Sequence, residues 1–404
     1  MTITDVRVIA TCPGRNYVLL KILTDQGVYG VGDITLNGRE LAVAELVERY
    51  IAPLLIGRDP DRIEDTWQYL SRGSYWRGGP IQMTAIAGVD CALWDIKGKV
   101  AGLPVYSLLG GKTRESALCY THCAGRDVSE VKDAISRALE MGFRAVRAQC
   151  SIPGIGSTYG QGGQKEAALA TWGEPGGLPF VEEWEPGPYL RFIPKLMDQL
   201  RSSFENVELL HDVHERLNPI QACTLARELE PCHLFFLEDP LRPEHRESLR
   251  LLRRHTVTPL ATSELYTTKW DCLLPITEQL IDFIRCDLGH CGGITEGRKI
   301  AAIAEPYAVQ TAWHGPGDIS PVMHAANVHL DISTPNFGIQ EMVFFPEQVR
   351  EVISGGPTFE DGSLRVGDTP GLGVDINESA AKKYPYIRAY LPTARRRDGS
   401  VLDW

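Results

Sequence analysis

Apolar and polar positions alternate at the start of the chain. Val6, Val8 and Ala10 come first, then Tyr17-Val18-Leu19-Leu20-Lys21-Ile22, then Val28-Tyr29-Gly30-Val31-Gly32. A period of two marks strands, and Asp25-Gln26-Gly27 is a turn between two of them, so residues 1 to about 33 predict a small antiparallel meander. The period then changes. Helical spacing runs from Leu41 to about Leu55, from Ile63 to Leu70, and from Ile81 to about Val100. The last run follows an aromatic, glycine-rich loop, Ser74-Tyr75-Trp76-Arg77-Gly78-Gly79-Pro80. Residues 1–115 therefore predict an α+β domain of their own.

From Ala117 onward, strands and helices alternate. Strands are expected near Ala117–His122, Ala145–Gln149, Val207–Asp212, Leu234–Glu238, Pro259–Thr262, Phe283–Cys286, Val309–Ala312 and around Phe337–Gln340. Amphipathic runs lie between most of them, as at Val131, Ala134, Ile135, Ala138 and Leu139. Eight such units predict an α/β fold with a parallel sheet closed into a (β/α)₈ TIM barrel over residues 116–345. The stretch from Cys150 to about Pro188 is too long for an ordinary βα loop, and it contains Tyr159-Gly160-Gln161-Gly162-Gly163. A lid over the barrel mouth is its expected role. Residues 346–404 carry little helical signal and many turn phrases, among them Gly355-Gly356-Pro357 and Thr369-Pro370-Gly371. They are expected to return and pack on the first domain.

Three consecutive apolar strands end on an acid: Asp212, Glu238 and Glu264, spaced 26 residues apart. In a barrel, successive strand ends lie side by side on one face. Three carboxylates there form a hard oxygen site that suits Mg²⁺. Any one of them could instead cap the following helix, but three in register favour the metal.

Composition narrows the picture. The chain has 404 residues, 43% apolar and 23% charged, as in a globular protein. A net charge of −11 argues against a nucleic-acid partner, and the run Arg395-Arg396-Arg397 is too short to change that. No apolar run approaches the ~20 residues that span a bilayer. The first residues enter a strand-like alternation without a signal-peptide core, so a cytoplasmic location is the default expectation. Ten cysteines are scattered without zinc-like spacing. Cys119 and Cys123 share a segment that begins as a strand and is expected to leave it before Cys123, so nothing marks them as a pair.

Other residues near strand ends admit two readings each. His214 is two positions past Asp212 and would share its face if the strand persisted. It could equally be a packing group. Arg147, inside a strand, needs an anionic neighbour if buried, either at a site or in a structural salt bridge. His314 follows Val309–Trp313, and Asp318 either joins it in a site or caps a helix. Tyr159, in its glycine-rich loop, would ordinarily be a surface residue.

Several phrases together carry a resemblance. The stretch from Ala92-Leu93-Trp94-Asp95-Ile96-Lys97 to Leu108-Leu109-Gly110-Gly111 resembles the cap helix of the enolase superfamily. Thr11-Cys12-Pro13-Gly14-Arg15-Asn16, Leu36-Asn37-Gly38-Arg39-Glu40, His211-Asp212-x-His214, Pro335 through Glu341 and Tyr384-Pro385-Tyr386 resemble its mannonate dehydratase subgroup. The resemblance spans essentially the whole chain. It implies a modified barrel under a capping domain built from both termini, and one Mg²⁺ per subunit on Asp212, Glu238 and Glu264. It implies Tyr159 with Arg147 as one acid/base pair and His214 as the other. It implies substrate contacts from Asn37, His122, Glu264, Arg285, His314, Asp318 and Glu341. The reaction implied is dehydration of a C6 sugar acid, D-mannonate or D-gluconate, to 2-keto-3-deoxy-D-gluconate. The partners implied are a small-molecule sugar acid and further copies of the chain.

The chemistry suits those residue types. Removing a proton beside a carboxylate builds two negative charges, which a divalent cation offsets. Loss of the neighbouring hydroxyl needs a general acid. A tyrosine, with an ordinary pKa of about 10, becomes a better base beside an arginine and a metal. Two departures bear on the substrate. Gly315-Pro316-Gly317 has proline where the resemblance implies alanine for an efficient mannonate dehydratase, and in this it resembles the weak or gluconate-preferring members. Asp287, two residues past Arg285, could form a dyad with His314 of the mandelate racemase kind. A dehydratase or epimerase working through that dyad, or a low-turnover regulatory homologue, are the alternatives.

Overall fold

The computed structural model describes residues 1–153, 155, 179 and 181–403. Strands β1 (Ile3–Thr11), β2 (Tyr17–Thr24) and β3 (Tyr29–Asp33) form the expected antiparallel meander. Helices α1 (Glu40–Leu46) and α2 (Ala52–Leu55) are joined by a π-helical turn, Val47–Ile51. They are followed by α3 (Ile63–Arg72), α4 (Pro80–Ala101) and the short α5 (Val105–Leu108). Proline opens α4, where its missing N–H is no loss, and Gly102 ends it at a left-handed φ of 67°. Apolar residues surround α4 on all sides because both of its faces are covered. One face meets the meander. The other meets the barrel, where Trp94 Nε1 donates to Thr295 Oγ1 at 2.9 Å.

Two glycines set how closely the meander approaches α4. A Cβ on Gly30 would lie 1.9 Å from the Ala92 carbonyl oxygen, and one on Gly32 would lie 2.0 Å from that of Gly88. Backbone meets backbone there, so nothing can yield cheaply. Gly32→Ala is expected to lower unfolding free energy by roughly 3 kcal/mol. Gly367→Ala, with nothing within 4 Å, should cost less than about 0.5 kcal/mol. Urea unfolding of both variants checks the contrast.

The barrel strands are β4 (Ala117–Gly125), β5 (Ala145–Cys150), β7 (Glu208–Asp212), β8 (Phe236–Glu238), β9 (Leu260–Thr262), β10 (Phe283–Ile284), β11 (Gln310–Thr311) and β12 (Gln340–Glu341). A short β6 (Val181–Glu183) stands outside this ring. Each barrel strand runs parallel to the next, and β12 pairs back onto β4. Phe337 bridges Thr311 just before β12, which closes the circle of pairings. One interior layer takes one residue from each strand or its margin: Tyr120, Ala145, Leu210, Phe236, Ala261, Phe283, Ala312 and Ile339. Large and small side chains mix within that layer and fill it, so the barrel is a packed core with its chemistry above. The strand carrying Cys119 does not stop before Cys123. It continues to Gly125 because β5 pairs with it in register as far as Cys150.

Helices α6 (Val128–Glu140), α7 (Pro186–Ser203), α8 (Pro219–Glu228), α9 (Leu249–His255), α10 (Lys269–Thr277), α11 (Gly293–Ala304) and α12 (Pro321–Ser333) follow the strands. Local chemistry starts several of them. Asn218 with Gln221 and Thr268 with Asp271 form capping boxes, and Asp127 accepts from the Glu130 N–H. Among the described residues no helix is long and apolar enough to cross a membrane.

The tail is more structured than its pattern suggests, with helices α13 (Glu347–Val352) and α14 (Glu378–Ala381) and six short strands. It runs back over the meander. Thr11 Oγ1 donates to the carbonyls of Ala381 (3.0 Å) and Tyr384 (2.8 Å), and Tyr29 OH donates to Asp375 at 2.8 Å. Its last strands join β6 in a three-stranded sheet.

His329 ties α12 to this tail. The Tyr106 N–H donates to its Nδ1 at 3.2 Å, and its Nε2 lies 3.2 Å from the Leu372 carbonyl. Burial lowers its pKa to about 4, and the Leu372 contact opposes this only in part. The unfolded chain, titrating near 6.5, binds this proton first as pH falls. Stability is therefore intact above pH 6.5 and lost between 6.5 and 4, by up to about 1.4 kcal/mol per pH unit. His329→Gln should reduce that slope by about one proton in urea titrations at several pH values.

Candidate active site

Asp212 and Glu238 end two strands that are paired directly, residue against residue. Glu264 lies two positions beyond the end of β9. Asp239 fixes that exit by accepting from Thr262 Oγ1 at 2.5 Å and from the Ser263 N–H at 3.0 Å. The three carboxylates converge with two buried arginines. Arg147 Nη1 lies 2.6 Å from Glu238 and 3.3 Å from Asp212. Arg285 Nη2 lies 2.9 Å from Glu238, 3.0 Å from Glu341 and 3.5 Å from Glu264. Arg147 thus has the anionic neighbours that its burial demands.

His214 reaches the same place by a different route from the one its spacing suggests. Strand β7 ends at Asp212, and His214 and Glu215 both adopt left-handed backbone, at φ 56° and 57°. The Asp212 carboxylate accepts from the His214 N–H at 2.7 Å, and the Glu215 N–H donates to the Asp239 carbonyl at 2.8 Å. This tight turn brings His214 Nε2 to 3.7 Å from Glu264. On the far side, His314 Nδ1 lies 2.8 Å from Asp287 Oδ2, and its Nε2 lies 3.5 Å from Glu264. His122 Nε2 is 2.6 Å from Glu341. Asn37 Nδ2 donates to Asp318. Tyr159 lies outside the described residues. The remaining predicted site residues are brought together at the barrel mouth and its cap-side rim.

Four participants escaped the sequence reading. Asp239 and Glu215 add buried carboxylates to the cluster, Tyr120 OH accepts from Arg285 at 2.7 Å, and Arg15 pairs with Asp318. The apolar run ending Leu237-Glu238-Asp239 was the available signal for Asp239. Nothing local points from Arg15 to residue 318.

Burial dominates the electrostatics. It raises Asp212 to about 6 and Glu238 to about 7, with Arg147 pulling both back. It holds Glu215 and Asp239 well above the usual carboxylate range. Burial alone would lower His314, but Glu264, Glu341 and the Asp287 hydrogen bond hold it at about 10. Carboxylates packed and buried this densely suit a cation that stabilises their ionised forms. Asp212 Oδ2, Glu238 Oε2 and Asp239 Oδ2 are buried and accept no hydrogen bond among the described residues. Glu238, Asp239 and Glu264 offer carboxylate oxygens within 4.8 Å of one another, and a second group at the same spacing joins an imidazole nitrogen of His214 to oxygens of Glu215 and Glu264. Asp212 belongs to neither group; its Oδ2 lies 3.3 Å from Arg147, and its Oδ1 accepts from the His214 N–H. The all-oxygen group of Glu238, Asp239 and Glu264 fits a hard divalent ion.

Residues 6–110 match the mandelate racemase / muconate lactonizing enzyme N-terminal domain, and residues 130–380 match the enolase C-terminal domain-like family. This chain belongs to the enolase superfamily. A D-galactonate dehydratase family member from Streptomyces bingchenggensis is 51% identical over 100% of this chain and 98% of its own. A D-mannonate dehydratase from Xanthomonas oryzae pv. oryzicola is 49% identical, over 100% and 96%. An enolase from Pantoea ananatis, crystallised with bound D-gluconate and Mg, superposes with a TM-score of 0.91 at 42% identity and full coverage of both chains. The superfamily's two-part plan, a capping domain and a barrel, is the plan of this chain.

Proposed function

We propose that this enzyme is a Mg²⁺-dependent sugar-acid dehydratase. Its substrate is D-mannonate, D-gluconate or both, and its product is 2-keto-3-deoxy-D-gluconate. The observation that carries the reading is the group of strand-end carboxylates, Asp212, Glu238 and Glu264, interleaved with Arg147 and Arg285 at the barrel mouth. The names of the dehydratase relatives and of the gluconate-bound neighbour support it. Asp212, Glu238 and Glu264 would hold one Mg²⁺ per subunit, which when bound supplies positive charge beside the substrate carboxylate. Asp239 is a further oxygen donor at hand.

The chain's own residues then divide the work. Tyr159, favoured as phenolate by Arg147, takes the proton from C2. His214 gives a proton to the C3 hydroxyl. The C2–H and C3–O bonds break, a C2=C3 bond forms, and water leaves. The resulting enol takes a proton at C3 to become the 2-keto acid. Arg285, Glu341, His122 and His314 line the substrate site, and Asn37 and Asp318 contact its hydroxyls. We place the reaction in cytoplasmic carbohydrate metabolism, in a homo-oligomer.

A second reading has an observation of its own. His314 Nδ1 lies 2.8 Å from Asp287 Oδ2, and a dehydratase or epimerase could work through that pair. A screen of purified protein with Mg²⁺ against hexonates and pentonates separates the readings. Turnover of gluconate or mannonate to a 2-keto-3-deoxy acid supports ours. Epimerised acid without dehydration supports the dyad. Inertness toward the whole set leaves a low-turnover homologue.

A further inference from the structure

We propose that Arg15 is a positioning residue that sets Asp318 for a hydroxyl of the substrate. This rests on the sugar-acid reading above. Arg15 sits in the turn between β1 and β2, just after Gly14 at φ 91°. Its guanidinium pairs with Oδ1 of Asp318, and Asn37 donates to the other oxygen, Oδ2. Both partners come from the cap, whereas Asp318 follows barrel strand β11.

The loop that carries Asp318 is held from two sides. From the cap, Tyr17 OH donates to the Gly317 carbonyl at 2.9 Å, and Asp33 accepts from the Ser320 N–H at 2.6 Å. A Cβ on Gly317 would lie 3.3 Å from Arg15 Nη1, so the guanidinium lies close against this loop. From the barrel, the Gly315 N–H donates to Glu341 at 2.9 Å, and Asn327 Nδ2 donates to the His314 carbonyl at 3.1 Å. The segment between His314 and Asp318 therefore has little freedom to translate. The Asp318 side chain is in turn held by two cap residues, Arg15 on one oxygen and Asn37 on the other.

Asp318 stays accessible, with 23% of its side chain exposed against 14% for Arg15. A carboxylate oxygen that already accepts one hydrogen bond has a lone pair left for another. A hydroxyl is the donor that fits, and the acid end of a sugar acid is excluded by like charge. In the sugar-acid reading the acid end would go to the Mg²⁺ held by the strand-end carboxylates. Asp318 is thus placed for hydroxyls remote from C1, and Arg15 fixes the direction in which it accepts.

Steady-state kinetics of Arg15→Met, Arg15→Lys, Asp318→Asn and the double variant Arg15→Met/Asp318→Asn test this on the Mg²⁺-loaded full chain with D-gluconate and D-mannonate. Arg15→Met should raise KM about tenfold or more, since a charge-assisted contact at the substrate is being misaimed, while kcat stays within about threefold. Arg15→Lys should recover most of the KM. The double variant should be no worse than the poorer single one, because Arg15 acts through Asp318. Unchanged KM in Arg15→Met overturns the inference. So does a fall in kcat alone that tracks the folded fraction by circular dichroism, or losses that multiply in the double variant. Wild-type protein inert toward both acids would overturn the sugar-acid reading and this inference with it. Wild-type turnover with an unaffected Arg15→Met overturns the inference alone.

Discussion

Glu238→Gln is expected to reduce turnover on the order of a thousandfold or more while the protein stays folded. Glutamine keeps the shape of the side chain and removes its charge. Glu238 is fully buried and touches both arginines, at 2.6 Å from Arg147 and 2.9 Å from Arg285. Its other oxygen, Oε2, accepts no hydrogen bond among the described residues. The amide would turn an N–H toward one side of this arrangement and leave a hard cation with a weaker oxygen donor. Breaking a buried ion pair usually costs about 3–5 kcal/mol. Here the loss is offset in part, because Asp212 and Glu341 also press on Glu238 as like charges. Circular dichroism should therefore match wild type, and calorimetry should show Mg²⁺ binding weakened at least about a hundredfold. Full activity in excess chelator, or in Glu238→Gln, would remove the metal assignment.

Tyr159→Phe and His214→Asn should each lower dehydration on the order of a thousandfold, yet differ in a second readout. Tyr159 is assigned the C2 proton. Without its hydroxyl, both dehydration and exchange of C2–H with solvent deuterium should stop. His214 is assigned the leaving hydroxyl. Its asparagine variant should stop dehydration and still allow C2 exchange, because the proton can leave and return while C3–O stays intact. The left-handed turn at His214 and its 3.7 Å approach to Glu264 put the imidazole at the carboxylate cluster without making it a strand residue. Exchange that survives in Tyr159→Phe and vanishes in His214→Asn would reverse the two roles. Normal dehydration in both, with loss only in His314→Asn or Asp287→Asn, would move the chemistry to the dyad.

The strand exits at Asp212, Glu238 and Glu264 could be read along the chain because each apolar run stops at its acid. The barrel was legible because eight strand-like runs alternate with helical ones. The need of Arg147 for an anion was likewise readable, since burial of a lone guanidinium in a strand is unfavourable. Other features were not. Period two placed His214 on the face of Asp212, but the strand ends first, and two consecutive left-handed residues do the work instead. Glu215 and Asp239 look like ordinary polar residues of loops, and only folding buries them among three more carboxylates. The partnership of Arg15 with Asp318 spans 303 residues. Charge pairing at that distance leaves no pattern in a single sequence. The tail's short strands escaped notice because two or three residues are too few to show a period.

The measurement that bears most directly on the central reading is proton NMR of the purified protein with Mg²⁺ and D-gluconate or D-mannonate in D₂O. The account predicts a 2-keto-3-deoxy acid carrying one deuterium at C3, formed with Mg²⁺ and absent when the ion is chelated. Unaltered hexonate with C2–H retained after prolonged incubation, or a product formed at the same rate in chelator, would contradict it.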